Sequence, residues 1–222
     1  MSSQPKPASG ADPAPAEHQE AVREFHRLFY ELAPWLQTYW LGVRVQKCPL
    51  DLWIYQEILF DLRPDVIVET GTLAGGSAFY LASVCDLVGS GRVITVDVKP
   101  PKRPPTHDRI TYLTGSSTDP EIAEAVRRLI EPGERVMVVL DSAHSDSHVL
   151  KEMQIYGPLV TQDSYLIVED TNLGDNPVPF VNPGPIKAVR EFLSQNGSFE
   201  VDRSREKFLL TFNPSGYLRR VS

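Results

Sequence analysis

Five short runs of uniformly apolar, Val- and Ile-rich residues, at 66–68, 93–96, 110–113, 136–140 and 165–168, restrict the folds open to this chain more than any other feature. A strand with one wet face alternates apolar and polar residues. A run without alternation has to be covered on both faces, as in a parallel sheet flanked by helices. The stretches between the runs supply helices, at 77–88, 119–130 and 147–159. This order predicts an α/β, Rossmann-like, doubly wound and mostly parallel sheet. The tail FEVDRSREKFLLTFNP differs. It contains two strand-like runs joined by a short polar connection, so the last strands should form an antiparallel hairpin.

In an open parallel sheet, ligands lie beyond the carboxyl ends of the strands. Here the runs end, in order, at Glu69, at Asp97, at Gly115-Ser116-Ser117, at Asp141 and at Glu169-Asp170. Acids placed only for solubility would not choose the same end of every strand. The candidate site is therefore the row of strand ends.

The stretch VIVETGTLAGGS, residues 66–77, sets the chemistry of the first of those ends. A dinucleotide turn needs G-x-G-x-x-G so that its second glycine can approach a pyrophosphate. Gly71 is followed here by Thr72, Leu73, Gly75, Gly76 and Ser77, so that second glycine is missing, and Glu69 adds a negative charge beside the turn. Such a turn suits a ligand that is neutral or cationic. Asp97, roughly twenty residues further on, stands where a carboxylate clamps ribose hydroxyls. An adenosine-bearing ligand with no phosphates, S-adenosylmethionine, fits both observations. Ser116 and Ser117 then face the adenine or serve as a helix N-cap. The structural alternative is that Gly71 merely ends a strand and Asp97 caps a loop.

Asp141, Glu169 and Asp170 form a second group. Carboxylates gathered from neighbouring strand ends repel one another unless a cation lies among them. Hard oxygen donors without a thiolate suit Mg²⁺. The segment DSAHSDSH, 141–148, offers His144 as a general base facing that ion. Its His144-Ser145-Asp146 could also begin a facial iron triad, but no distant histidine follows His148 to complete one. His148 itself is expected on the surface of the next helix. The Pro- and Gly-rich stretch TNLGDNPVPFVNPGP, 171–185, lies directly after the acid pair, where a loop can select substrate.

The rest of the chain is bounded more loosely. Residues 1–17 are rich in Pro, Ala and Ser and should be disordered. Residues 18–62 should form a helical cap. Val22, Phe25, Leu28, Phe29 and Leu32 make one helical stripe, and Asp51 is expected to cap a second helix bearing Leu52, Tyr55, Ile58, Leu59 and Leu62. Trp35, Tyr39 and Trp40 would suit a lid or a dimer face. Residues 63–222 form the core. A net charge of −7 opposes nucleic-acid binding. No secretory h-region and no apolar run of ~20 residues is present, which predicts a cytoplasmic protein without a membrane partner. Cys48 and Cys85 form no CxxC pair.

With these residues in place, the chain resembles the cephalosporin hydroxylase family. Despite its name, that family is similar to class I S-adenosylmethionine-dependent O-methyltransferases of antibiotic pathways, including macrolide and sugar methyltransferases. The resemblance runs from about Trp40 to the C-terminus, on KCPLDLWIYQEIL, VIVETGTLAGGS, GRVITVDV, LDSAHS and LIVEDTN. It implies a seven-stranded sheet with a reversed last strand, and Mg²⁺ held at Asp141, Glu169 and Asp170. It also implies that His144, or Asp141 itself, takes the proton from an acceptor hydroxyl. The expectation is a Mg²⁺-dependent O-methyltransferase acting on a small secondary metabolite, a sugar or polyketide, and forming a homo-oligomer through its N-terminal helices. The competing expectations are an NAD-linked oxidoreductase and a non-catalytic S-adenosylmethionine-binding protein.

Overall fold

The structure, a computed structural model, describes residues 15–99, 101–174 and 176–222. Strands β3 (Val66–Thr70), β4 (Arg92–Asp97), β5 (Ile110–Thr114), β6 (Val136–Leu140) and β7 (Tyr165–Val168) are parallel neighbours where they pair. With β8 (Phe199–Val201) and β9 (Tyr217–Arg220) they make a seven-stranded sheet ordered β5-β4-β3-β6-β7-β9-β8. Only β9 is reversed, pairing antiparallel with both β7 and β8. The chain winds outward from β3 to β5, then returns to the other side of β3 as β6. The switch point therefore lies between β3 and β6, where an open sheet parts at its carboxyl end.

Burial on both faces accounts for the unbroken apolar runs. Val66, Val68, Val136 and Val138 face α4 (Pro120–Arg128), α5 (Asp146–Tyr156) and α6 (Pro185–Gln195), against Val126, Met153 and Val189. Ile67, Val93, Met137 and Val139 face α2 (Pro49–Leu62) and α3 (Gly76–Val88), against Ile58, Leu59 and Leu81. Successive residues of one strand thus feed opposite layers, and each fully buried side chain of this size contributes roughly 1.5–3 kcal/mol. Helix α6 was not expected from the sequence.

The N-terminal region is helix α1 (Ala16–Leu32), a 3-10 turn at Pro34–Gln37 and a two-stranded ribbon, β1 (Tyr39–Trp40) with β2 (Val43–Arg44). Of the tail expected to be disordered, residues 1–14 lie outside the described residues, whereas Ala16 and Glu17 already belong to α1. Trp40 packs edge-on against Tyr80 and donates its indole N–H to Ser83, so it is a packing residue, while Tyr39 is exposed.

Two local expectations fail. Asp51 is not an N-cap: Cys48 holds that position, and Asp51 is buried in the first turn of α2. Its carboxylate accepts from the Phe212 N–H at 2.8 Å, the Tyr217 hydroxyl at 2.9 Å and the Thr211 hydroxyl. That contact explains the second failure. The run FLLTF is not a strand, because Asp51 satisfies its polar groups and Leu210 and Phe212 bury beneath α1 with Phe29, Tyr30 and Trp35. The strand of the hairpin is instead Tyr217–Arg220.

Candidate active site

The carboxyl ends of the strands open into a cavity of about 620 Å³. Gly71, Asp97, Ser116, Ser117, Asp141, His144 and Asp170 all line it. The floor is closed by one tight approach. Gly71 has φ +92°, and a Cβ there would lie 1.9 Å from the Asp141 backbone oxygen, so only glycine lets the β3 and β6 ends meet.

One half of the cavity is built around Asp97. The Leu73 N–H donates to its Oδ2 at 2.9 Å and the Lys99 N–H to its Oδ1 at 3.1 Å, which fixes the carboxylate at the end of β4. Ser116 and Ser117 stand beside it after β5. Behind them, His148 Nε2 lies 3.3 Å from Ser117 Oγ, 3.1 Å from Ser142 Oγ and 3.5 Å from Glu152 Oε1. The bond to Glu152 raises the His148 pKa, with burial opposing it. His148 therefore lines the cavity and is not the surface residue its helical position suggested.

Glu69, Thr72, Gly75, Gly76 and Ser77 do not line the cavity; they support it. Glu69 is fully buried and accepts from Thr95 Oγ1 at 2.6 Å. Burial pushes its carboxyl up to about 7, against the opposing influence of Lys47 and the Ser77 and Thr95 hydroxyls. Thr72 bonds Thr95 at 2.7 Å. Gly75 adopts φ +81° to open α3, and a Cβ on Gly76 would lie 2.0 Å from the Arg44 carbonyl oxygen. That close approach seats the β1–β2 ribbon on the start of α3.

The ribbon delivers a residue whose role no local pattern disclosed. Lys47 is 3 % exposed, and its Nζ lies 2.6 Å from Asp141 Oδ2 and 2.5 Å from Glu169 Oε1. The Tyr55 hydroxyl donates to the same Glu169 oxygen at 2.6 Å. Burial alone would lower the Lys47 pKa, but Asp141, Glu169 and Glu69 together raise it and favour the ammonium. Burial pushes the Glu169 carboxyl up, and Lys47 opposes this.

Asp141, His144 and Asp170 bring one ligand atom each to within 4.8 Å of one another. His144 Nε2 lies 3.3 Å from Asp170 Oδ2. Asp170 sits at φ +55°, and its N–H donates to Asn213 Oδ1 at 3.1 Å. Burial first, and Asp141 after it, push the Asp170 carboxyl up to about 6, while His144 and Lys47 oppose the rise. Two carboxylates converging on an open cleft fit a hard divalent cation, with an imidazole beside them. The structure thus brings together two of the three acids expected to bind metal. The third, Glu169, spends one oxygen on Lys47 and Tyr55.

The remaining wall comes from the N-terminal region. Tyr30 and Trp35 line the cavity with their ring centroids 5.3 Å apart. Trp35 is one of the aromatic residues whose placement suits a lid or a dimer face, whereas Tyr30 lies outside the apolar stripe of α1, so no pattern in the sequence marks it.

Comparison with known proteins gives a consistent result. The family model described as rhamnosyl O-methyltransferase/CmcI matches residues 33–221. The rhamnosyl O-methyltransferase of Mycobacterium tuberculosis (strain ATCC 25618 / H37Rv) is 38% identical over 208 residues, covering 90% of this chain and 84% of the relative. That of Mycobacterium leprae (strain TN) is 39% identical over 210 residues, covering 90% of each. A solved CmcI structure with Mg and SAM superposes with a TM-score of 0.67 at 22% identity, over 97% of this chain and 89% of that one.

Proposed function

This chain belongs to the rhamnosyl O-methyltransferase/CmcI family, and we propose that it methylates a sugar hydroxyl of a small secondary metabolite in a Mg²⁺-dependent reaction. Membership makes it an S-adenosylmethionine-dependent O-methyltransferase; the ion, the acceptor and the residue roles are the proposal. The observation that carries it is convergence. The Asp97 clamp and the Asp141–His144–Asp170 cluster open into one cavity, so a cofactor held by the first would meet an acceptor held at the second. The names of the relatives support a sugar, and the CmcI neighbour with Mg and SAM supports the ion.

S-adenosylmethionine supplies an electrophilic methyl carbon, and Mg²⁺ supplies Lewis acidity at the acceptor oxygen. The protein's own contribution is placement and proton transfer. Asp97, held in register by the Leu73 N–H, would accept from the ribose hydroxyls of the cofactor. Asp141 and Asp170 would hold the ion, and the Lys47 contact would keep Asp141 from swinging away. Lys47 also balances Glu169, which steadies the strand end next to Asp170. With His144 Nε2 turned to Asp170, its Nδ1 is left to accept the acceptor's proton as the oxygen–methyl bond forms and the methyl–sulfur bond breaks. Asp141 is the alternative proton acceptor.

A nicotinamide cofactor is disfavoured by Leu73, which occupies the position of the second fingerprint glycine. Residues before 63 act as a cap over the core in this proposal. Self-association through α1 would cover its exposed Phe25, Leu28 and Leu32. Two measurements test the proposal. S-adenosylhomocysteine, and not NAD, should bind in calorimetry. EDTA should abolish methylation of a rhamnoside and Mg²⁺ should restore it. Full turnover in chelator would remove the ion while leaving the cofactor assignment standing.

A further inference from the structure

The aromatic wall of the cavity is held by a hydrogen bond and by further rings packed against it. Trp35 donates its indole N–H to the Tyr30 carbonyl at 3.4 Å, which ties the 3-10 turn to the end of α1. Phe212 stands behind both rings, edge-on to Trp35 at 5.8 Å and tilted against Tyr30 at 5.4 Å. Phe180, from the loop after β7, closes on Tyr30 at 5.9 Å. The rings are thus pinned before any ligand arrives, and binding against them costs little ordering entropy. Their planes meet at 34°, a bent wall and not a parallel-sided slot. A flat aromatic acceptor would cover one ring only. A puckered pyranose has an apolar C–H face that can rest on both, with its hydroxyls directed away.

The wall also lies close to Asp170. Phe212, which touches both rings, is followed by Asn213, whose Oδ1 accepts from the Asp170 N–H, and both rings line the same cavity as Asp170 and His144. A sugar resting on Tyr30 and Trp35 would turn its hydroxyls toward Asp170 and His144.

Building on the methyltransferase proposal above, we propose that Trp35 and Tyr30 select the acceptor by binding the C–H face of a pyranose ring that carries neighbouring hydroxyls. The test is binding of methyl α-L-rhamnopyranoside to the full-length protein with Mg²⁺ and S-adenosylhomocysteine, read by saturation-transfer NMR. Removing either ring face, in Trp35→Leu or Tyr30→Leu, should weaken rhamnoside binding about tenfold, and Trp35→Phe should recover most of it. Affinity for S-adenosylhomocysteine, measured by calorimetry, should stay at the wild-type value in all three. Having two deletion variants keeps the test decisive if one of them fails to fold. Rhamnoside binding unchanged in the folded Leu variants would overturn the proposal. So would an equal loss of S-adenosylhomocysteine affinity, which would move the rings to the cofactor side. A wild-type protein that binds S-adenosylhomocysteine and protocatechuate but no rhamnoside would overturn the sugar wall and leave the methyltransferase reading intact. Failure to bind S-adenosylhomocysteine would remove both.

Discussion

Lys47 and Glu169 meet through an ammonium–carboxylate contact of 2.5 Å, both side chains almost wholly buried. The same ammonium reaches Asp141 at 2.6 Å. One cation from the segment after the N-terminal ribbon thus joins the ends of β6 and β7, and without it the buried Glu169 would keep the Tyr55 hydroxyl but have no cation beside it. Removing one partner of a buried pair typically costs about 3–5 kcal/mol, because the other charge is left uncompensated. Lys47→Met should show that loss in urea unfolding, and the double variant Lys47→Met/Glu169→Gln should regain part of it. A loss below about 1 kcal/mol, the value of a solvated surface pair, would show that water reaches the ammonium.

Asp97 accepts from the backbone N–H groups of Lys99 in its own loop and of Leu73 in the turn after β3, and it lines the cavity. Asp97→Ala should therefore weaken S-adenosylhomocysteine by about 1.5–3 kcal/mol, the scale of hydrogen bonds to a charged group. Calorimetry is the measurement, and unchanged affinity would take Asp97 out of the cofactor site.

His144 should matter for turnover and not for cofactor binding. Losing a positioned base typically lowers rate by about 10²–10⁴-fold, and His144→Ala should fall near the lower end because the ion shares the task of acidifying the hydroxyl. A kcat within about twofold of wild type, far below that range, would make His144 structural and leave the proton to Asp141.

His26 predicts an acid-sensitive dock for α1. It is 5% exposed, accepts from the Asn172 side-chain amide at 3.0 Å and stacks on Phe212 at 5.8 Å. Burial lowers its pKa from 6.5 to about 4. The native state therefore binds fewer protons than the unfolded chain between those values. Its contribution is complete above pH 6.5 and is lost as pH falls toward 4. Hydrogen exchange should show α1 losing protection from pH 7 to pH 5 before the central sheet does. Equal loss of protection in α1 of a His26→Gln variant would assign the effect to other groups.

The strand runs and the row of acids at their ends were legible because both follow from short-range rules. A run covered on two faces reads as unbroken Val and Ile, and a parallel sheet puts every carboxyl end on one side, so Asp97, Asp141 and Asp170 could be placed together from spacing alone. The same rules could not say which way each acid points. Glu69 stands one residue before the end of β3, and its alternation phase turns it into the core. The run FLLTF carries a strand's composition, yet Asp51, about 160 residues earlier in the chain, satisfies its polar groups in an irregular loop. Lys47 reaches Asp141 and Glu169 across 94 and 122 residues, and Tyr30 and Trp35 line the cavity with Phe212, far along the chain, packed against both. Periodicity reports which face of an element is buried. Which distant charge or ring is buried against it depends on the packing of whole layers, and that information exists only in the folded chain.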